Sequence, residues 1–194
     1  MALQTVVEEK CLTKHVNYFK PETLSTWTRL VRVRTWVQRF GNNCRRGRAK
    51  ISEPELTLEE MENVEKEIIR RDQMKYFEVE YKTLQQGKMI NDRSNILKMN
   101  PRLDDDGLLR SDSRIINAEL LPIAMRRPII LHKDSWITWL IVGKAHKARA
   151  HCAGVSHLLA DLTQRYWIQS ARLVIKKFEK KCFFVANNGL KEQF

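Results

Sequence analysis

The sequence predicts a mainly α protein with a small β element, an α+β chain. Three observations point there. Apolar residues recur at helical spacing through residues 23–40 and 58–86, filling the first half with long helices. A turn-rich stretch with short apolar runs occupies residues 88–131 and reads as a hairpin and a strand. Helical spacing then returns in three stretches after residue 134. With 194 residues, 43% of them apolar, the chain is long enough to bury a core in one or two small domains.

In the first stretch, "TLSTWTRLVRVRTWVQRF", Leu24, Trp27, Leu30, Val31, Val37 and Phe40 fall on one helical face. Thr23 or Ser25 can cap its start, because a hydroxyl oxygen accepts from the free amides of a first turn. "GNN" at residues 41–43 is expected to end it. The second helix opens on the capping box "TLEE" at residues 57–60, and Gly87 suits its C-terminal stop. Met61, Val64, Ile68, Phe77, Tyr81 and Leu84 supply its apolar stripe. Glutamates early and lysines late follow the helix dipole.

Next, "NPRLDDDGLLR" holds a turn cluster and an apolar run, and "RPIIL" reads as a buried strand. Carboxylates of Asp104, Asp105 and Asp106 could attract a hard cation, but adjacent side chains diverge, so a turn is the expected role. Beyond it, Asp134 or Ser135 caps a helix over 134–148. A second helix covers 155–168, with Leu158, Leu159, Leu162 and Tyr166 facing a core, and a third covers 170–182. The resulting division is 1–50, a basic helical segment; 51–88, a long acidic-to-basic helix; 89–131, a hairpin and strand linker; and 132–194, a helical domain.

Charge narrows the partners. Lys and Arg number 35 against 23 Asp and Glu, a formal charge of +12, which suits a polyanion. From Arg29 to Lys50 there are eight basic residues and no acid. Arg29, Arg32, Arg45, Arg46 and Arg48 are candidate phosphate contacts there, with Lys176, Lys177, Lys180 and Lys181 in the last helix. The plain alternative is a solvated helix face with a loose basic loop. The longest apolar run, "WITWLIV", falls far short of the roughly 20 residues a spanning helix needs. No signal-peptide pattern is present, so an intracellular protein, nuclear or cytoplasmic, is expected. The four cysteines then stay reduced, as thiols or ligands.

Metal ligands are the remaining chemistry. His146 and His151 stand five apart in "HKARAHCAG", and Cys182 follows about thirty residues later. Imidazole nitrogen and thiolate sulfur are the donors of tetrahedral Zn2+ sites. On an unbroken helix the two histidines would diverge by about 140°, so convergence requires the helix to end between them. A complete pattern would place a second cysteine three residues after Cys182, where Val185 stands. The alternative leaves His146 and His151 as surface histidines near a helix end.

"STWTRLVRVRTWVQRFGNNCRRG", "PRLDDDGLLR", "RPIIL" and "HKARAHCAGVSHLLADLTQRYWIQSARLVIKKFEKKC" stand in an order that resembles BEL/Pao LTR-retrotransposon polyproteins. The resemblance covers residues 20–185 or so, from the linker after the RNase H domain into the integrase N-terminal zinc-binding domain. It implies a three-helix domain with a His-His-Cys-Cys zinc site, ahead of a catalytic core that joins element DNA to target DNA. His146 matches the first histidine and Cys182 the first cysteine. His151 has the usual spacing for the second histidine, while Cys152 stands in the "HAG" position, so either can be the ligand. His157 is a further alternative, and Val185 replaces the second cysteine. Asp112 and Ser113 stand where the family has a glycine pair. These departures imply a decayed or host-retained copy with a weakened zinc site.

The function expected is therefore a non-catalytic module that binds nucleic acid, DNA above all, or supports assembly through self-association. The carboxylates for two-metal phosphoryl transfer lie beyond Cys182 in that family, and no nucleophile grouping stands out, so no enzyme and no small-molecule substrate are expected. Trp136, Trp139 and Trp167 either pack the core or form a partner surface.

Overall fold

The computed structural model describes residues 25–45, 53–112, 118, 120–149 and 154–187. It is mainly helical with one small sheet. Two compact units divide it, one running through Val64 and the other from Glu65.

In the first unit, helix α1 spans Trp27–Cys44. Its cap is Thr26, one residue past Ser25, with its hydroxyl accepting from Arg29 N at 3.3 Å. Gly41, Asn42 and Asn43 do not stop the helix; they form its last turn, and Asn42 O accepts from Arg45 N at 3.2 Å. The expected apolar face holds only in part. Trp27, Leu30 and Val31 are buried, but the buried stripe continues through Arg34, Thr35 and Arg39. Val37 and Phe40 are exposed instead; at 100° per residue Phe40 lies across the axis from Trp27, while Val37 lies close to the azimuth of Leu30 and nothing in the helix's own geometry explains its exposure. Leu24 lies outside the described residues.

Arg39 shows how a buried charge is held. Its guanidinium donates to both carboxylate oxygens of Glu60 and to the carbonyls of Glu53, at 2.7 Å, and Glu55, at 2.8 Å. Hydrogen bonding from Arg39 draws the Glu60 carboxyl down to about 2. Glu60 thus stabilises the fold above the normal carboxylate range, and that stability is lost as pH falls from about 4.5 towards 2. Arg39→Met should cost about 2 kcal/mol by stranding these acceptors, and urea unfolding should also show a shallower acid limb.

Helix α2, Leu58–Tyr76, begins with the expected capping box: Thr57 N donates to Glu60 Oε2 at 3.0 Å and Glu60 N to Thr57 Oγ1 at 3.2 Å. The single helix expected over 58–86 is broken. Phe77 leaves helical geometry at φ −124, ψ 38, and α3 follows over Glu78–Gln85. Gly87, at φ 68, is the left-handed stop the sequence suggested. The buried stripe runs through Val64, Ile69, Gln73, Phe77 and Tyr81, with Ile69 in place of the expected Ile68.

In the second unit, β1 (Pro101–Leu103) and β2 (Leu109–Ser111) form an antiparallel hairpin. The aspartate triplet is its turn, as expected. Asp104 Oδ1 accepts from Leu108 N at 2.7 Å, and Gly107 takes φ 72, a conformation costly for any residue with a Cβ. Tyr81 donates to Gly107 O at 2.7 Å, tying α3 to the turn. The short helix α4 (Ile123–Arg126) leads to β3 (Ile129–Leu131), which meets β2 at Arg110 opposite Ile129.

The last three helices are α5 (Trp136–Ala148), α6 (Val155–Thr163) and α7 (Ala171–Asn187). Ser135 is the cap of α5, accepting from Ile137 N at 3.0 Å. The helix expected through residue 168 stops at Thr163, and Tyr166–Ile168 forms β4 instead, parallel to β3. Parallel pairing needs a long crossover, which α5 and α6 supply. Segments 89–131 and 132–194 thereby share one sheet, ordered β1-β2-β3-β4. Among the described residues, no helix is long and apolar enough to cross a membrane.

Candidate functional site

Helices α5, α6 and α7 carry the residues singled out for metal binding. His146 lies in the last turn of α5 and is 4% exposed, so it is not a surface histidine. Its ring meets Phe178 of α7 edge-on, with centroids 5.5 Å apart. Gly143, one turn earlier, allows that approach: a Cβ there would sit 3.1 Å from the Phe178 ring. Cys182, one turn beyond Phe178, is a half-buried cysteine outside any disulfide. Val185 falls within α7. His157 is exposed on α6.

His151 and Cys152 lie outside the described residues. The end of α5 before them is tied to α6 near that helix's C-terminus. Arg149, the C-cap of α5, donates to both oxygens of Asp161 on α6, at 2.8 and 2.7 Å. This bidentate geometry is the strongest form of an exposed pair. The donor types suit zinc, an imidazole on α5 and a thiol on α7. Among the described residues no cluster of three or more His, Cys, Asp or Glu side chains is placed to hold a metal.

The tryptophans divide their roles. Trp139 packs its ring 4.8 Å from Phe178, and Lys181 Nζ lies 5.3 Å from the Trp139 centroid. Lys181 therefore engages an aromatic ring rather than standing clear of the surface. Trp167 on β4 packs against the core of Phe77, Tyr81, Ile96, Leu109 and Ile130. Trp136 is half-buried.

Basic residues fall on two separate helices, each in its own unit. On α1, Arg29 and Arg32 are exposed, and Arg45 is exposed at the C-cap. On α7, Lys176, Lys177 and Lys180 are exposed along one side. No acidic side chain pairs with any of these six among the described residues. Arg46 and Arg48 lie outside the described residues. Arg34 and Arg39, from the same run of basic sequence, are buried and structural.

The ion pairs of one named residue escaped the sequence reading. Asp112, which stands where the resembled family has glycine, is nearly buried and lies 3.0 Å from Arg102 Nε and 3.2 Å from Arg127 Nε. It joins β1, β2 and the entry to β3. Its partners are 10 and 15 residues away, so no local spacing announces them. Comparison with known proteins finds no matching family model, no matching curated protein and no matching solved structure.

Proposed function

We propose that the chain is a non-catalytic nucleic-acid-binding module, the linker and zinc-binding region of a BEL/Pao-type retrotransposon polyprotein. The observation that supports this reading most is the sorting of the arginines and lysines. Two are buried as structural groups, while Arg29, Arg32, Arg45, Lys176, Lys177 and Lys180 face water and pair with no acid among the described residues. Cations kept clear of carboxylates are available to phosphates, and each contact releases counterions.

In this reading zinc would be held by His146 and Cys182 with His151 or Cys152, linking α5 to α7. The ion would supply cross-linking of the small helical unit rather than reactivity.

A salt titration of duplex DNA binding by the full chain tests the proposal. Affinity should fall steeply as salt rises. Arg29→Ala with Arg32→Ala should flatten the log–log slope by roughly 2, close to one unit per lost phosphate contact. Binding that is indifferent to salt would remove the nucleic-acid reading. Metal analysis with thermal melts before and after a chelator tests the zinc component separately. Absence of bound zinc together with an unchanged melt would exclude it.

A further inference from the structure

Helix α1 places its residues against their usual preferences. Arg34 and Arg39 are buried at 6% and 4% exposure, while Trp36 and Phe40 are 44% and 72% exposed. Arg29, Arg32, Trp36 and Phe40 fall within about 80° of one another around the axis, at 100° per residue. The outer face of α1 thus presents two cations, then two aromatics separated by one turn. No acid occurs anywhere in Trp27–Cys44.

Trp36 is also held in place. The Arg39 guanidinium carbon lies 5.1 Å from the Trp36 ring centroid, and Arg39 is itself fixed by Glu60 and the carbonyls of Glu53 and Glu55. An exposed indole that rests on an anchored cation has less rotational freedom to lose when something stacks on it. Holding a large apolar ring in water costs free energy that core packing would have recovered. Bound occupants recover it.

We propose that this face of α1 is a stacking platform for single-stranded nucleic acid, with bases on Trp36 and Phe40 and flanking phosphates on Arg29 and Arg32. Bases have π faces whatever their identity, so such a platform reads strandedness rather than sequence. A helix face with two arginines beside its aromatics and no carboxylate matches a polyanion better than a protein partner of mixed charge. A paired duplex hides its base faces and offers phosphates only. The inference rests on the nucleic-acid reading above and assigns the class of nucleic acid to one of its two basic faces.

Anisotropy of fluorescein-labelled oligothymidylate, and of a duplex of equal length, would be measured with the full chain. Trp36→Ala and Phe40→Ala should each weaken oligothymidylate binding roughly 5-fold to 100-fold, since base stacking on an aromatic is worth about 1–3 kcal/mol. The same variants should leave duplex binding within about twofold, because phosphate contacts alone serve a duplex. Trp36→Phe should restore most of the loss, which a merely structural role for the indole would not predict. Circular dichroism melts would establish that the exposed substitutions leave the fold intact. Aromatic variants with wild-type affinity for oligothymidylate would overturn the platform while leaving the phosphate reading in place. Loss of self-association without loss of oligothymidylate affinity would overturn it in favour of a protein interface. Failure of the wild-type chain to bind either nucleic acid would sink both readings together.

Discussion

Gln73→Leu should unfold the second unit at markedly lower denaturant, with a loss on the order of 4 kcal/mol. Gln73 is 1% exposed and lies on α2 beneath the sheet. Its Nε2 donates to Leu109 O at 2.9 Å and Ile130 O at 2.7 Å, and its Oε1 accepts from Leu109 N at 2.8 Å. One side-chain amide therefore serves backbone groups of both β2 and β3. Those strands share the register pair Arg110 opposite Ile129, and Gln73 ties the position beside it. Leucine has a similar volume but no polar atoms. Each buried backbone group left without a partner costs about 1–3 kcal/mol, and the added apolar burial offsets only part of that. The thermal midpoint should drop by roughly 10 °C or more. Gln73→Glu should not rescue at neutral pH, because a carboxylate cannot donate to the two carbonyls. If urea unfolding put Gln73→Leu within about 1 kcal/mol of wild type, the amide would not be the tie between helix and sheet.

Asp72→Asn should stabilise the protein at neutral pH by about 2–3 kcal/mol and leave it unchanged near pH 4. Burial pushes the Asp72 carboxyl up to about 6, against the lesser opposing effects of the Ser135 hydrogen bond and nearby Lys75. The sign follows from proton counts. Between about 4 and 6 the folded state holds a proton on Asp72 that the unfolded chain has released. Stability from this group is therefore full at the acid end of that window and is lost as pH rises through it. Asparagine removes the titration while its carbonyl oxygen still accepts from the Ser135 hydroxyl, which reaches Asp72 Oδ2 at 2.6 Å. Ser135 is the cap of α5, so the same hydrogen bond orients the start of the helix that carries His146. Urea melts at pH 4, 5.5 and 7 would check this. Parallel curves for wild type and variant across that range would show that Asp72 is not desolvated.

Both effects arise from polar groups on α2 that a pattern of apolar residues passes over. Ile69, Gln73, Phe77 and Tyr81 form a buried row at four-residue spacing, and glutamine breaks the apolar rule because it meets a sheet rather than another side chain. The same row holds Phe77 at the point where the helix breaks. Periodicity cannot register such a break, since the apolar spacing is the same on either side of it.

Local chemistry was legible in the residues themselves. The capping box at Thr57 and Glu60, the Asp104–Gly107 turn, the stop at Gly87 and the strand at Ile129 all follow from side chains within a few positions of one another. The mainly helical class with a small sheet follows from the periods of the apolar residues. The candidate site was less legible. Composition marked a basic stretch, but it could not say that Arg39 would be locked to Glu60 while Arg29 and Arg32 stayed in water.

What only the tertiary structure decided depends on partners distant in sequence. Tyr166–Ile168 became a strand because β3 offered an edge for pairing, although its residues continue a helical pattern. Arg39 went inward because Glu60 and the carbonyls of Glu53 and Glu55 accept from its guanidinium, while Phe40, at a similar angle from the stripe of Trp27, Leu30 and Val31, went to solvent. His146 is buried because Gly143 lets Phe178 come close. Sequence sets which elements can form over a few residues; the energy of burial and of distant hydrogen bonds sets which face each element turns inward.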